Sequence, residues 1–334
     1  MVVLMIAVGG LTRLTDSGLS ITEWNLVSGA LPPFSEAAWL VEFEKYKAIP
    51  EYQLQNKGMS LAEFKVIYWW EWGHRQLGRL VGFVWAVGFL YLIIRHTIPR
   101  AWIGRMVLLG ALGGLQGAIG WWMVSSGLTG RMVDVASYRL ATHLGLAFII
   151  LSLLLWYILR LKRSEMALFQ AQRNQDASMA RIGIVLYAAT FFQILLGALV
   201  AGIDAGRGYI DWPLMNGQFL PSESFDYTPL LTNFFENPAL VQFNHRIVGY
   251  LLFGFVIWVF FHAKRNPHAI IQSTSKAVLV MATLQMLLGI FTVIYAAPWY
   301  FAILHQLGAV MLIGLVVKLN FDARSPFSKA ITST

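Results

Sequence analysis

Hydrophobic residues along this chain gather into eight runs, near 1–14, 74–95, 106–124, 139–160, 182–203, 240–262, 277–295 and 299–319. Most are about 20 residues long, enough for a helix rising ~1.5 Å per residue to cross a ~30 Å hydrocarbon core. Backbone groups in lipid must be satisfied within their own segment, so such runs predict membrane helices. The first run is short. No basic segment precedes it and no small-residue cleavage site ends it, which argues against a signal peptide.

The runs repeat. Residues 9–29 (GGLTRLTDSGLSITEWNLVSG) align without a gap on 197–217 (GALVAGIDAGRGYIDWPLMNG), an offset of 197 − 9 = 188. EWGHRQLGRLVG around His74 matches QFNHRIVGYLLFG around His245, at 245 − 74 = 171. Leu115-Gln116, Gly120 and Val124 match Leu284-Gln285, Gly289 and Val293, at 169, and YRLATHLG around His143 matches YFAILHQLG around His305, at 162. Four matches in preserved order describe a duplicated unit. The expected fold is an all-α integral membrane protein of eight transmembrane helices, arranged as two tandem, pseudo-symmetric four-helix bundles. The expected divisions are a half at 1–163 with a long outer loop at 15–68, a cytoplasmic linker at 164–181, and a half at 182–334.

Composition agrees: 57% of the 334 residues are hydrophobic and 13% charged, about half the charge of a soluble domain. The net charge of +8 is a matter of sidedness. Of 25 basic residues, 14 lie in 95–105, 160–181, 262–276 and 318–334, from Arg95 to Lys329, while Glu36, Glu42, Glu44, Glu51 and Glu63 lie in the opposite segments. Positive-inside bias puts both termini in the cytoplasm, and a nucleic-acid partner is not expected. Cysteine is absent, which excludes disulfides, thiolate ligands and iron–sulfur clusters.

Four of the seven histidines, His74, His143, His245 and His305, fall a few residues inside the outer ends of the second, fourth, sixth and eighth runs. An ionisable group within a span marks function by default, and paired imidazoles on facing helices are a common axial ligand set for haem iron. Each has a small residue at i+4 (Gly78, Ala147, Gly249, Ala309), read here as clearance for a flat macrocycle or as close helix contact. His96, His262 and His268 sit at basic inner ends and read as solvated. A di-iron site fits poorly, since Glu71-x-x-His74 has Gln242-x-x-His245 as its counterpart; zinc or copper at the pairs stays open.

Glu71 and Gln242 are equivalent, 242 − 171 = 71. One half alone therefore places a carboxyl beside its histidine, where isolation near hydrocarbon would raise its pKa for proton transfer. Pairing with Arg75 or Arg79 is the alternative. Ser60 and Glu63 form a capping-box pattern, so this helix is expected to begin in the outer loop. Arg75, Arg79 and Arg246 are candidates for haem propionates or for headgroup phosphates.

Through GGLTRLTDSGLSITEW at 9–24, EFKVIYWWEWGHRQLGRLVG at 63–82, LQGAIGWWMVSSGL at 115–128, YRLATHLG at 138–145 and NHRIVGY at 244–250, essentially the whole chain resembles the haem A synthases. It is most similar to the cysteine-free branch shared by mitochondria and many Gram-negative bacteria. The resemblance implies an inner-membrane oxidoreductase that converts the C8 methyl of haem O to a formyl group by successive hydroxylations, giving haem A for terminal haem–copper oxidases. It implies His74 and His143 as substrate-haem ligands, Glu71 as catalytic carboxylate, and His245 and His305 as ligands of a permanent haem b. Implied partners are haem O, the farnesyltransferase that makes it and an electron donor; a homo-oligomer stays open. A bis-histidine cytochrome serving quinol would carry the same four ligands without a use for Glu71, and a repeat-built transporter would leave them unexplained.

The repeat also bears on the short first run. Its partner begins near Arg181, and 181 − 188 = −7, so about eight residues of the first helix are expected upstream of Met1. Mass spectrometry of the native N-terminus checks this; a mature terminus at Met1 would overturn it.

Overall fold

The computed structural model describes residues 1–130 and 132–326. Twelve helices follow in order among them: α1 (Val2–Leu14), α2 (Glu36–Lys47), α3 (Pro50–Leu54), α4 (Leu61–Ile94), α5 (Arg100–Val124), α6 (Ser137–Leu161), α7 (Glu165–Arg173), α8 (Ala177–Gly202), α9 (Asn233–Glu236), α10 (Pro238–Ala263), α11 (Ala269–Ile294) and α12 (Trp299–Arg324). Strand structure among the described residues is limited to one isolated bridge, Met215 with Gln218. Seven helices, α4, α5, α6, α8, α10, α11 and α12, are long and apolar enough to cross a membrane. The eighth predicted run is α1, whose 13 residues reach only ~20 Å. Leu80, Val84, Val87 and Leu90 of α4 face outward, which lipid tolerates and water does not. The chain is an all-α integral membrane protein. Lys329, counted above among the inner basic residues, lies outside the described residues.

The start of α4 follows its capping residues. The Ser60 hydroxyl accepts from the Glu63 N–H at 3.3 Å, and the Glu63 carboxylate accepts from the Ser60 N–H at 2.8 Å. Two of the helix's orphan donors are thereby satisfied. The 34 residues of α4 extend ~50 Å, well beyond a ~30 Å core, so the helix begins ahead of the apolar run, within the segment 15–68. Its first turns form the floor of a cap. Trp39, Phe43 and Tyr46 of α2 are buried against Phe64 and Tyr68 of α4, with ring centres 4.9 Å apart for Trp39–Tyr68 and for Phe43–Phe64. The outer loop is thus a folded layer with its own aromatic core.

Two compact units divide the chain: Met1–Ile150 with Ala198–Asp204, and Leu151–Gly197 with Ala205 onward. Their borders fall within α6 and α8, because compactness records which residues touch, whereas a repeat records which correspond. In the first unit, Arg13 draws Asp16 (2.7 Å), Asp204 (2.9 Å) and Asp134 (3.5 Å) together. In the second, Leu186, Val256, Ile271, Val278, Val316 and Leu319 give α8, α10, α11 and α12 a shared core. The duplication is visible in the backbone as well. Asp16 and Asp204, related by the offset of 188, both take left-handed φ, 48° and 50°, two residues beyond the ends of α1 and α8. Aspartate is one of the few side chains that tolerate that region.

Candidate functional site

The four predicted histidines all lie on long helices, one each on α4, α6, α10 and α12. On the last three they sit at nearly the same register, 143 − 137 = 6, 245 − 238 = 7 and 305 − 299 = 6 residues from the helix start. Each ring rests against a glycine of the preceding apolar helix, α1, α5, α8 or α11. A Cβ built on Gly9 would lie 2.8 Å from His74 Cε1, one on Gly120 2.9 Å from His143 Cε1, one on Gly197 3.0 Å from His245 Cε1, and one on Gly289 3.0 Å from His305 Cε1. Any side chain there would push the ring aside, so the seat exists only because a glycine faces it. The glycines are themselves repeat-related, 197 − 9 = 188 and 289 − 120 = 169.

In the second unit the rings of His245 and His305 face one another, with centres 6.4 Å apart and planes at 84°. Two imidazole nitrogens at about 2 Å from one iron, with each ring centre roughly 1.2 Å further out, require a separation of about 6.4 Å. Nδ1 of His74 and of His305 is buried without a partner. No cluster of three or more His, Asp or Glu side chains able to hold a bare metal ion occurs among the described residues. A pair of imidazoles suits an iron that brings its remaining equatorial donors with it, as haem does.

Of the two readings offered for the i+4 residues, close contact between helices fits the two glycines. A Cβ on Gly78 would meet Met5 Cε at 3.3 Å, and one on Gly249 would meet Gln193 Nε2 at 3.1 Å. Both glycines admit a side chain from the preceding helix.

Glu71 is buried at 3% exposure and is not isolated. Its Oε1 accepts from Arg75 Nε at 3.1 Å and Nη2 at 2.6 Å, and its Oε2 accepts from Ser20 Oγ at 2.7 Å and the Ile21 N–H at 2.8 Å. The expectation of an unpaired carboxyl therefore gives way to a paired, fully hydrogen-bonded one, because the outer loop folds back over the helix. Its counterpart Gln242 is equally buried, but its Nε2 donates to the Tyr209 carbonyl at 3.1 Å. Ser20 corresponds to Gly208, 20 + 188 = 208, so the hydroxyl occurs only in the half that has the carboxylate.

The arginines are loop clamps. Arg75 donates to the carbonyls of Ile21 (2.8 Å) and Glu23 (3.0 Å). Arg246 donates to those of the corresponding Tyr209 (2.8 Å) and Asp211 (2.9 Å), and to that of Leu214 (2.9 Å). Arg79 holds the carbonyls of Asn25 (2.8 Å) and Leu26 (3.0 Å). Of the nitrogens of these three arginines, Arg79 Nη1 and Arg246 Nε are buried without a partner.

Comparison with known proteins decides the family. A family model described as cytochrome oxidase assembly protein matches residues 1–317. Over 331 residues the chain is 59% identical to a protein of Dinoroseobacter shibae named heme A synthase, covering 99% of this chain and 86% of that one. Proteins of the same name from Paracoccus denitrificans and Ruegeria pomeroyi are 55% and 56% identical, each over 88% of their length and at least 99% of this chain. The chain belongs to the haem A synthase family. Beside the histidines and Glu71 singled out from the sequence, the structure places Ser20, the four glycine seats, and Gln116, Gln193 and Gln285, which sequence reasoning did not single out. Gly120, Gly289, Gln116 and Gln285 already stood in the matched blocks, where their shared spacing was the available signal.

One further carboxyl, in the folded layer above α4, is unusual. Glu51 of α3 is 3% exposed and its Oε2 has no partner. Burial first, and then the negative charges of Asp134, Glu71 and Asp16, push its pKa from 4.5 to about 8. The native state then holds this proton at pH values where the unfolded chain has released it. The contribution of this group to stability is therefore full below pH 4.5 and is lost as pH rises through about 8. Glu51→Gln should flatten this slope, raising the thermal midpoint above pH 8 by several degrees relative to the parent. Thermal melts of the detergent-solubilised protein at pH 6 and pH 9 check this, and parallel shifts in both proteins would refute it.

Proposed function

We propose that this chain is a haem A synthase, oxidising the C8 methyl of haem O to a formyl group by successive hydroxylations and supplying haem A to terminal haem–copper oxidases. His74 and His143 hold the substrate haem O in the first half, and His245 and His305 hold a haem b in the second. The observation that carries the assignment of roles is the paired difference Glu71/Ser20 against Gln242/Gly208 on otherwise matching frames. A plain electron carrier has no use for that difference.

The bound haem b supplies one-electron transfer. The protein's own groups do the rest. Glycine seats fix the imidazole planes, and the arginine clamps hold residues 20–26 and 209–214 over the histidine helices. Glu71 is the acid–base group. Arg75 holds its Oε1, so a proton moves at Oε2, where Ser20 Oγ is the hydroxyl partner. Arg79 and Arg246 each keep one N–H for a propionate. In the membrane the chain forms two four-helix halves, eight spans in all with α1 as the first. It lies in the bacterial plasma membrane with both termini on the basic, cytoplasmic side. It receives haem O from the farnesyltransferase that makes it, and electrons from a separate donor.

Expression in cells that make haem O but not haem A tests the reading, with bound haem extracted and identified by mass spectrometry. Haem A or its hydroxylated precursor is expected; haem b alone would overturn the assignment. In the same cells Glu71→Gln should retain bound haem and lose about 100-fold or more in haem A formation. Gln242→Ala should form haem A nearly as the parent does, and equal losses from both would remove the division of roles.

A further inference from the structure

The four imidazoles share a glycine seat but not their second contact. Gln193 of α8 donates from Nε2 to the His245 carbonyl at 2.9 Å and lies 3.1 Å from that ring's Nδ1. Gln116 of α5 does the same for His143, at 2.9 Å to the carbonyl and 3.2 Å from Nδ1. Gln285 of α11 donates to the His305 carbonyl at 2.8 Å. In each case an amide crosses from the neighbouring helix to the residue that bears the imidazole. A carbonyl one turn from its helix N-terminal neighbours already accepts one helical bond, so the second bond ties the backbone at the histidine itself to the adjacent helix.

The fourth position breaks the pattern. The residue equivalent to Gln193 is 193 − 188 = 5, a methionine. It occupies the matching place: Met5 Cε faces Gly78 as Gln193 Nε2 faces Gly249, and 249 − 171 = 78. A thioether fills the space but has no N–H to donate. His74 has no such amide tie; its Nδ1 is buried without a partner, as is that of His305, so the carbonyl bond made by Gln285 is what separates the two.

Resting on the haem assignment above, we propose that Gln116, Gln193 and Gln285 are positioning residues that lock three axial ligands, and that His74, facing Met5, is the ligand that yields. An iron held by two imidazoles has no open coordination position. Release of His74 supplies one on the substrate haem while the locked pair in the other half stays closed. Only the iron–nitrogen bond breaks. The imidazole keeps its electron pair, and neither a proton nor an electron is transferred in that step. Losing a partner that orients a metal ligand typically weakens the metal bond by about 10- to 100-fold, which sets the size of effect to look for.

Carbon monoxide is the probe, since it binds ferrous haem only where an axial ligand gives way. The purified, haem-loaded parent, Gln193→Met, Gln116→Met and Met5→Gln are compared for haem per chain and for CO affinity by absorbance. Gln193→Met should raise the CO affinity of the second-half haem about 10- to 100-fold with haem content retained, and Gln116→Met should raise that of haem O in the first half. Met5→Gln should lower CO binding to haem O by a similar factor. If haem content holds and CO affinity is indifferent to all three substitutions, the lock is overturned while the haem assignment stands. A parent that takes up no haem, in cells or on reconstitution, overturns that assignment and the lock together.

Discussion

An imidazole can bring its Cε1 edge as close to the backbone of a neighbouring helix as these four do only where that neighbour lacks a Cβ. This constraint organises the whole chain. It fixes which residue of α1 must face α4, of α5 must face α6, of α8 must face α10, and of α11 must face α12, because only one glycine in each register meets the ring at about 3 Å. In lipid, apolar burial gives helices little reason to prefer one register over another, so close contact at small residues decides it. The histidine on one helix and the glycine on the next thus define a unit, and the unit occurs four times.

Above the seats, the outer segments are held by charge and hydrogen bonding. Arg75 and Arg246, one residue beyond their histidines, reach into the loop and capture equivalent carbonyls. A guanidinium offers five N–H groups in a fixed fork, so one side chain can satisfy several loop carbonyls at once. In the first half the same guanidinium also pairs with Glu71, and the pair is nearly enclosed. Removing either partner from so buried a pair costs about 3–5 kcal/mol, so Glu71 holds the cap as well as standing beside the proposed haem O site. A carboxylate with both duties cannot shift far, which suits a group whose task is to present one oxygen in a fixed direction.

Much of this was legible in the sequence, and the reasons differ by residue. The seven long helices follow from run length, since lipid leaves the backbone no other choice. The four histidines stood out because an ionisable group in an apolar run is costly to keep without a use. The start of α4 was written in Ser60 and Glu63, where capping is local chemistry. What periodicity could not supply was tertiary. Glu71 looks isolated along the chain because Ser20 and Ile21 are fifty residues away, and Gly78 looks like clearance because Met5 is invisible from α4. Contacts of that kind depend on how the loop returns, and no spacing rule within one helix encodes it.

The two halves therefore differ little in frame and sharply at a few polar atoms. The glycine seats, the left-handed aspartates and the arginine clamps are common to both. Glu71 against Gln242, Ser20 against Gly208 and Met5 against Gln193 are not, and all three lie around the helix that carries His74 or its counterpart. Each difference alone has a bland explanation, because single polar exchanges on a duplicated frame are cheap. Their clustering at one histidine does not. The first half gains a carboxylate and a hydroxyl where the second has an amide and no side chain, and loses the amide that ties the second half's ligand. An electron-carrying site gains from rigid ligands and no acid–base group; a site of chemistry gains from a mobile ligand and a fixed one. The direction of all three changes is the same, and it supports the proposal that the first half is the one that oxidises haem O.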